Sequence, residues 1–279
     1  TGFHYVGALE EGESLHTLFS YFDLMGLPWK KLDEDCFDEV VIGEDSYAFA
    51  NKHQRFYERM AARFPKEREG LKKYVTFLKE VGDHIFGVFQ GDEHKRYTYS
   101  LLSRSAYEFL NETIKEPLLR KVLSGTSLKM ELNAPTLPLY TFAQINDSFI
   151  RSAWRLRGGG SQIADKLVEG ILSMGGEVKT HAAVTYIKEE NGKVVGVTVN
   201  DEDYLETDWV VSSVHPAHTV SLVKDSKALR NIYRNRIAHL DNTFGMFTAN
   251  IRLKPGLLPY VNKNIYVHRE DADLWNVNT

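Results

Sequence analysis

The stretch GGGSQIADKLVEGILSMGG, residues 158–176, contains a glycine run, a helix-like segment and a closing glycine pair. Apolar side chains recur at helical spacing in residues 162–174, and Gly175-Gly176 favours a stop. Glycines before a helix leave backbone N–H groups accessible at its positive end, where a flat or anionic ligand can approach. From residues 158–161 alone, a plain flexible turn with Ser161 as the helix cap is the alternative.

Three strand-like segments are predicted after this helix. Residues 177–187 alternate in polarity, and residues 194–199 are rich in β-branched side chains. Asn191-Gly192 between them favours a tight hairpin, because such turns need positive φ angles. Trp209-Val210-Val211 is predicted to be a short buried strand that leads to Ser212 and Ser213. The sequence therefore predicts a helix followed by strands.

The chain before residue 150 is predicted to be mostly helical. Phe3, Tyr5 and Val6 favour a short strand, and Ser14 is a candidate N-cap for the helix that follows. In the helix predicted at 67–89, an apolar stripe runs from Leu71 to Ile85. The further predicted elements are a strand at 39–42, helices at 51–63 and 139–154, two or three helices between 99 and 128, a helix from 220 and strands at 244–253.

Composition limits the class of protein. The 279 residues are 43% hydrophobic, which is enough for a real core. The net charge of −4, from 34 basic and 38 acidic residues, argues against a nucleic-acid surface. The single cysteine, Cys36, permits no internal disulfide. No apolar run is long enough to span a bilayer.

Several catalytic motifs are absent from the sequence. It contains no GxxxxGK[ST], GxSxG or HExxH pattern. His215 and His218 have a ligand-like spacing, but Pro216 between them opposes a helix that would present both rings on one face. We therefore predict no metal site.

The order of features from the glycine run onward resembles one family. A glycine run, an amphipathic helix, Gly-Gly, Val184-x-x-Ile187, an Asn-Gly hairpin, Asp208 and Val-Val-Ser-Ser follow one another within residues 158–213. This order resembles the second flavin-domain segment of the phytoene desaturase and amine oxidase superfamily of FAD-dependent oxidoreductases. A narrower resemblance, to the retinol saturase branch and nearby carotenoid isomerase-like proteins, is carried by these stretches: Thr1-Gly2-Phe3-His4-Tyr5-Val6-Gly7, Leu27-Pro28-Trp29, Arg63-Phe64-Pro65 and Arg157-Gly158-Gly159 with Ile163-Ala164.

The resemblance implies an α/β (α+β) fold, with part of a FAD/NAD(P)-binding Rossmann-like domain and a mostly helical substrate domain that has a mixed sheet. It implies a flavin-proximal strand segment at 1–9 and an FAD-domain segment, a helix plus a three-stranded meander, at 156–217. Residues 10–155 and 218–279 would form the substrate domain. The sequence lacks the GxGxxG turn of such domains. We therefore expect an internal fragment that lacks this N-terminal unit and a C-terminal FAD segment, and that does not retain FAD by itself.

The resemblance also implies contacts with the cofactor. Val184 would meet the adenine of FAD through its backbone, and Ser212 and Ser213 would lie beside the ADP part of the cofactor. Gly2 and His4 would lie near the flavin ring. His4 is the candidate catalytic residue, with a packed or capping histidine as the alternative. Arg157 is either a pocket cation or a surface residue, and NAD(P) is a further candidate cofactor. The implied FAD contacts are Gly2, Arg157, Gly158, Gly159, Val184, Ser212 and Ser213.

The implied function is hydride transfer at a conjugated polyene, a retinoid or carotenoid, with saturation, desaturation or isomerisation of C=C bonds. Two alternatives stay open: a flavin amine oxidase-like enzyme with a polar substrate, and a non-catalytic lipid-binding or interaction module. The expected partner is an apolar isoprenoid small molecule, with no nucleic acid. We also expect peripheral membrane contact, self-association through exposed sheet edges, and a cytoplasmic location with or without membrane association.

Overall fold

Two compact units make up the computed structural model. The structure describes residues 5–85, 91–126, 129–224, 226, 228–243 and 245–276. One unit comprises Thr1–Gly170 with Met246–Thr279, and the other comprises Ile171–Gly245. The domain boundaries that the resemblance implies stay predictions, because compactness does not assign a function to a segment.

Helices and short strands alternate irregularly along the chain. The helices within the described ranges are α1 (Ser14–Tyr21), α2 (His53–Arg63), α3 (Arg68–Asp83), α4 (Asp92–Leu102), α5 (Ala106–Thr113), α6 (Pro117–Ser124), α7 (Leu139–Arg151), α8 (Ser161–Ser173), α9 (Pro216–Leu222) and α10 (Asn231–Ala238). The strands there are β1 (Val6–Gly7), β2 (Trp29–Lys31), β3 (Asp38–Ile42), β4 (Asp45–Phe49), β5 (Ala153–Leu156), β6 (Val184–Glu190), β7 (Lys193–Val199), β8 (Asp203–Glu206) and β9 (Asn264–His268). The predicted mixture of helices and sheet is confirmed.

Two small sheets lie in the first unit. In one, β5 pairs antiparallel with β1 on one side and with β2 on the other. In the other, β3 pairs antiparallel with β4 and parallel with β9, so this sheet is mixed. Asp38, Val40 and Ile42 of β3 are buried, as alternate side chains on one face of a strand should be. The pairing of β3 with β9 brings together parts of the chain more than two hundred residues apart.

The helical core of the first unit contains the predicted stripe of α3. α3 packs against α7, and burial of each large aliphatic side chain contributes roughly 1.5–3 kcal/mol. α3 ends at Asp83, before Ile85, because the N–H groups of His84 and Ile85 bond back only three residues and tighten the last turn. Residues 86–89 of the predicted helix lie outside the described residues. The buried members of the stripe are Leu71, Tyr74, Val75 and Leu78.

The second unit contains the predicted hairpin. β6 and β7 pair antiparallel across Asn191 and Gly192, whose φ angles are 54° and 80°. These positive values are the ones that a tight hairpin requires. β8 pairs with β7, which gives the antiparallel order β6-β7-β8. Ile187, Val197 and Val199 form a small buried cluster on this sheet.

The helix predicted at 139–154 is too long. α7 ends at Arg151, and Ala153 and Trp154 belong to β5, where they pair with Gly7 and Val6. β1 and β2 offer hydrogen-bond partners on both sides of this segment. These long-range partners override the helical pattern, since strand formation depends on neighbours that local sequence does not reveal.

The predicted strand at Trp209-Val210-Val211 is wrong. Trp209 is 87% exposed and Val211 is 99% exposed. A buried strand needs a neighbour on each side, and none of the strands in the described part of the chain pairs with this segment. The strand predicted at 177–187 begins only at Val184. Residues 245–253 hold no strand, and Phe244 lies outside the described residues.

Three element starts also differ from the prediction. Of the strand predicted at Phe3, Tyr5 and Val6, Val6 lies in β1, Tyr5 precedes it, and Phe3 lies outside the described residues. Ser14 is the first residue of α1, and Glu13 occupies the cap position without a side-chain capping bond. The Glu13 carboxylate accepts instead from the hydroxyl of Ser152 at 2.5 Å. α9 begins at Pro216 and not at residue 220, because proline suits the first helical position.

Candidate functional site

A glycine turn joins β5 to α8. Gly158 and Gly159 have φ angles of 86° and 103°, a region that residues with a Cβ atom rarely adopt. The Gln162 side-chain amide donates to the carbonyl oxygens of Arg157 and Gly159, at 2.7 and 2.8 Å. The Arg157 N–H donates to the Pro28 carbonyl at 3.1 Å. Hydrogen bonds therefore fix this turn, in contrast to a plain flexible one.

The outer face of the glycine turn is open. A Cβ atom added at Gly159 or Gly160 would meet no heavy atom within 4 Å, and Arg157 is exposed. Ser161 is the first residue of α8, whereas a capping serine would precede the helix, so the cap alternative is wrong by one position. The N–H groups of the first turn of α8 follow the glycines directly. This arrangement suits an anionic or planar group near the backbone.

Three predicted contacts lie in the second unit. Val184 begins β6, pairs with Val199 and is 37% exposed. The hydroxyl oxygens of Ser212 and Thr219 lie 2.7 Å apart, and α9, which holds Thr219, packs against β6. Ser213 is exposed. Ser212 thus contacts α9, and α9 packs against β6, the strand that Val184 begins. Gly2 and His4 lie outside the described residues, and their roles stay predictions.

A cavity of about 560 Å³ lies between α5, α6 and residues 270–275 in the first unit. The rings of Tyr107 and Trp275 meet edge to face, with centroids 5.3 Å apart. The Trp275 indole N–H donates to the Ser124 hydroxyl at 2.9 Å, which fixes this aromatic wall. Leu118 and Asp273 also line the cavity. It therefore combines aromatic and aliphatic surface with carboxylates and with the cationic side chains of Arg120 and Lys121.

A buried lysine is the principal polar feature that the sequence did not predict. Lys129 Nζ lies 2.6 Å from Asp38 Oδ2, and both side chains are almost fully buried. The Tyr5 hydroxyl donates to the same Asp38 oxygen at 3.0 Å, and the Asn264 amide donates to the other oxygen at 2.9 Å. Lys129 Nζ also lies 4.0 Å from the centroid of the Phe149 ring. Since these partners are tens to hundreds of residues apart, no local motif could have signalled this cluster.

Burial shapes the acid–base chemistry of this cluster. Burial lowers the pKa of Lys129, although the charge of Asp38 opposes that shift. Burial, reinforced by the charge of Asp38, raises the pKa of Tyr5 and of Tyr266. The two phenol oxygens lie 2.6 Å apart. The cluster therefore holds one buried charge pair between tyrosines that resist ionisation.

The remaining candidate ligands have ordinary structural contacts. In the described residues, no group of three or more His, Cys, Asp or Glu side chains could hold a metal ion. His215 Nδ1 accepts from the Ala217 N–H at 3.2 Å, and Nε2 lies 2.8 Å from the Asn242 side-chain oxygen. Burial raises the pKa of the Cys36 thiol, which disfavours the reactive thiolate. Among the described helices, none has the length and apolar character that crossing a membrane requires.

Comparisons with known proteins agree with the sequence resemblance. The family described as "Flavin containing amine oxidoreductase" matches residues 17–246. All-trans-retinol 13,14-reductase of Danio rerio is 27% identical over 277 residues, which cover 88% of this chain and 45% of that protein. The Homo sapiens protein of the same name is 25% identical over 222 residues, which cover 71% of this chain and 36% of that protein. This chain thus spans less than half the length of these curated relatives.

A solved structure shares the fold. An oxidoreductase from Methanosarcina mazei superposes with a TM-score of 0.58 at 16% identity, over 86% of this chain and 53% of that one. The family resemblance predicted from the glycine run and the segments after it is therefore confirmed.

Proposed function

We propose that this chain, which belongs to the flavin containing amine oxidoreductase family, serves in an FAD-dependent oxidoreductase that acts on a conjugated polyene such as a retinoid or carotenoid. The observation that carries this proposal is the shared name of the curated relatives, all-trans-retinol 13,14-reductase. That name describes reduction of one C=C bond in a polyene. The family match supports the cofactor, and the relatives support the substrate class.

The glycine turn fits a bound dinucleotide. Its backbone is open where a Cβ atom would stand, and Arg157 and the start of α8 supply positive potential. We assign Arg157, Gly158 and Gly159 to this binding surface. The FAD contacts of Val184, Ser212, Ser213 and Gly2 stay predictions from the family resemblance. FAD supplies hydride chemistry when bound, and the protein positions the reactants and excludes water.

Gln162 has a positioning role in this proposal. Its side-chain amide holds two carbonyl oxygens of the turn, so the glycine backbone is already in place before a ligand arrives. Such preorganisation lowers the entropy cost of binding. Replacement of Gln162 by alanine should therefore weaken cofactor binding while the exposed surface of the turn keeps its chemistry.

A second candidate function is oxidation of an amine. The cavity beside α5 and α6 places Asp273 next to the rings of Tyr107 and Trp275. Carboxylates and aromatic faces both attract a substituted ammonium group. Glu270 and Asp271 also line this cavity, as do Arg120 and Lys121, so it favours a polar substrate more than a purely hydrocarbon one.

The test uses the intact gene product. We expect it to purify yellow and to release FAD on heating. With a chemical reductant present, all-trans-retinol should be converted to a product with two more hydrogens, as measured by chromatography and mass spectrometry. Hydrogen peroxide formed from putrescine in air, without retinol turnover, would select the amine function instead. A folded protein that takes up no added FAD would overturn both and favour a non-catalytic lipid-binding module.

A pair of glycine variants tests the binding surface. Gly159 and Gly256 both have positive φ, at 103° and 81°, and an added Cβ meets nothing within 4 Å at either position. Alanine therefore brings similar backbone strain to both, of about 1–3 kcal/mol. We expect Gly159→Ala to lower the FAD content and Gly256→Ala to leave it near the wild-type value. Equal FAD content in the two variants would remove the turn from the binding surface.

Self-association and membrane contact belong to the same proposal. All four residues of β8 are exposed, and an exposed strand edge can pair with another chain. Size-exclusion chromatography and sedimentation with neutral vesicles measure the two properties separately.

A further inference from the structure

A histidine and a buried aspartate form a close pair between α2 and α7. His53 Nε2 lies 2.6 Å from Asp147 Oδ1, and the Asp147 side chain is only 3% exposed. An ionised carboxylate only accepts hydrogen bonds, so the imidazole donates through Nε2. No described residue is hydrogen-bonded to Nδ1 of His53. Nδ1 is therefore the ring nitrogen that can meet a ligand.

The Asp147 carboxylate is itself held from two sides. Arg151 Nε donates to Asp147 Oδ2 at 2.5 Å, and the Arg151 guanidinium also pairs with Asp83 at 2.6 Å. The same carboxylate rests on the backbone of α3 at Gly82, where a Cβ atom would stand 1.7 Å from Oδ2. The aspartate can therefore orient His53 without moving.

The backbone before His53 is strained. Lys52 has a φ angle of 70°, which residues with a Cβ atom rarely adopt, and its N–H donates to the Ile150 carbonyl at 2.6 Å. Asn51 is fully buried, and its side-chain oxygen has no hydrogen-bond partner among the described residues. Backbone strain of this kind persists only where the surroundings enforce it, and it is concentrated at functional positions. The turn thus fixes His53 at a cost in stability.

His53 lines a groove of about 560 Å³ between α2 and α3. Tyr57 from α2 and Val75 from α3 give it apolar surface, and Lys72 and Lys79 lie on the α3 side. Lys79 pairs with Asp83 at 3.1 Å. In the described ranges no carboxylate lies within ion-pair distance of Lys72. The groove therefore offers cationic side chains and a histidine next to an apolar wall.

We propose that this groove binds a phosphate monoester that carries an apolar chain. Lys72 and Lys79 would donate to the phosphate oxygens, and Nδ1 of His53 would accept a hydrogen bond from the P–OH group of the monoester monoanion. Tyr57 and Val75 would contact the chain. Two ammonium donors and one acceptor match the oxygens and the hydroxyl of a phosphate monoester monoanion, and ionised partners make such hydrogen bonds about twice as strong as neutral ones. Asp147 is the positioning residue, because it holds the imidazole with Nδ1 available. This site is independent of the flavin chemistry proposed above.

Isothermal titration of the 279-residue chain tests the site with three probes: inorganic phosphate, hexyl phosphate and hexanol. We expect hexyl phosphate to bind more tightly than inorganic phosphate, and hexanol not to bind. Lys72→Gln should weaken the binding of hexyl phosphate by up to about fivefold, which is the range expected for an exposed charge pair. His53→Gln should weaken the binding of hexyl phosphate by up to about tenfold, since the hydrogen bond to Nδ1 is lost. Lys193→Gln, which changes an exposed lysine in the second unit, is the matched control.

Three results would overturn this proposal: no binding of hexyl phosphate, equal binding of hexanol, or equal affinity in Lys72→Gln and Lys193→Gln. The role of Asp147 is read from the ¹⁵N NMR signals of the His53 ring, which should report Nε2–H in the wild type and a mixture in Asp147→Asn. A loss of stability alone would not change the tautomer. An unchanged tautomer would remove Asp147 as the positioning residue.

The source of the ligand is distinguished with vesicles. Sedimentation with phosphatidylcholine vesicles that contain phosphatidic acid, compared with phosphatidylcholine alone, shows whether the groove accepts a lipid headgroup. Binding to these vesicles and to hexyl phosphate assigns a membrane lipid, and binding to hexyl phosphate alone assigns a free monoester. Binding to neither overturns the proposal.

Discussion

Gly82→Ala probes the contact between α3 and the buried Asp147 carboxylate. The new Cβ atom would lie 1.7 Å from Asp147 Oδ2 and 2.3 Å from its Cγ atom. Real Cβ contacts of this kind are essentially never shorter than 3.0 Å. The carboxylate must therefore leave His53 and Arg151, or α3 must separate from α7.

The size of the effect follows from the groups involved. Loss of one partner from a buried ion pair costs about 3–5 kcal/mol. Alanine in place of glycine in a helix returns about 1 kcal/mol. We therefore expect Gly82→Ala to lower the free energy of unfolding by about 2–4 kcal/mol.

Gly170 is the matched control for this substitution. It lies inside α8, and an added Cβ atom there meets nothing within 4 Å. Only helix propensity changes at this position, so Gly170→Ala should raise the free energy of unfolding by about 0.5–1 kcal/mol. The two glycine-to-alanine changes should thus have opposite signs.

Urea unfolding followed by tryptophan fluorescence measures both variants. Trp29, Trp154 and Trp275 are half-buried in the first unit, whereas Trp209 in the second unit is 87% exposed. The signal therefore reports mainly on the unit that contains Gly82. If Gly82→Ala were as stable as the wild type, Asp147 could not rest on α3, and the positioning of His53 would lose its basis.

Three further predictions concern other parts of the chain. Lys129→Met should lower the free energy of unfolding, measured in urea, by about 3–5 kcal/mol, because the Asp38 charge stays buried without its partner. Adding Asp38→Asn should recover part of that loss, whereas additive effects of the two substitutions would contradict the pairing. Burial raises the pKa of Tyr266 above the value of 10.0 for an exposed tyrosine. As the pH rises, this phenol therefore ionises in the unfolded chain before it ionises in the folded one. The free energy of unfolding should thus be constant below about pH 10 and fall above it. The fall between about pH 9 and about pH 11 should be smaller in Tyr266→Phe, and an identical fall would count against a buried phenol. Gly192→Val should lower the free energy of unfolding by about 1–2 kcal/mol, because the φ of 80° at this position suits glycine. We expect faster amide hydrogen exchange in β6 and β7, and unchanged exchange would argue against the tight turn.

Local signals predicted the elements whose physics is local. The hairpin at Asn191-Gly192 forms as expected, because positive φ is a property of those two residues. The buried stripe of α3 follows from spacing within one helix. Even there, spacing did not reveal that α3 ends at Asp83, where the last turn tightens near His84.

The secondary-structure predictions that were wrong concern segments whose conformation depends on pairing with distant parts of the chain. Ala153 and Trp154 have a helical pattern but lie in β5, because strands on both sides supply hydrogen-bond partners. Trp209 and Val211 have a strand pattern but are exposed, because none of the described strands pairs with them. In each case the competing conformations differ little locally, and distant neighbours settle the balance.

The sequence by itself determined the family, the hairpin and the position of the glycine turn, since each depends on residue types in a fixed order along the chain. Only the tertiary structure placed Lys129 against Asp38, and His53 against Asp147 over the α2–α3 groove. Those pairs join residues 91 and 94 positions apart. A buried charge is stable only beside its partner, and that partner becomes a neighbour only when the core has packed.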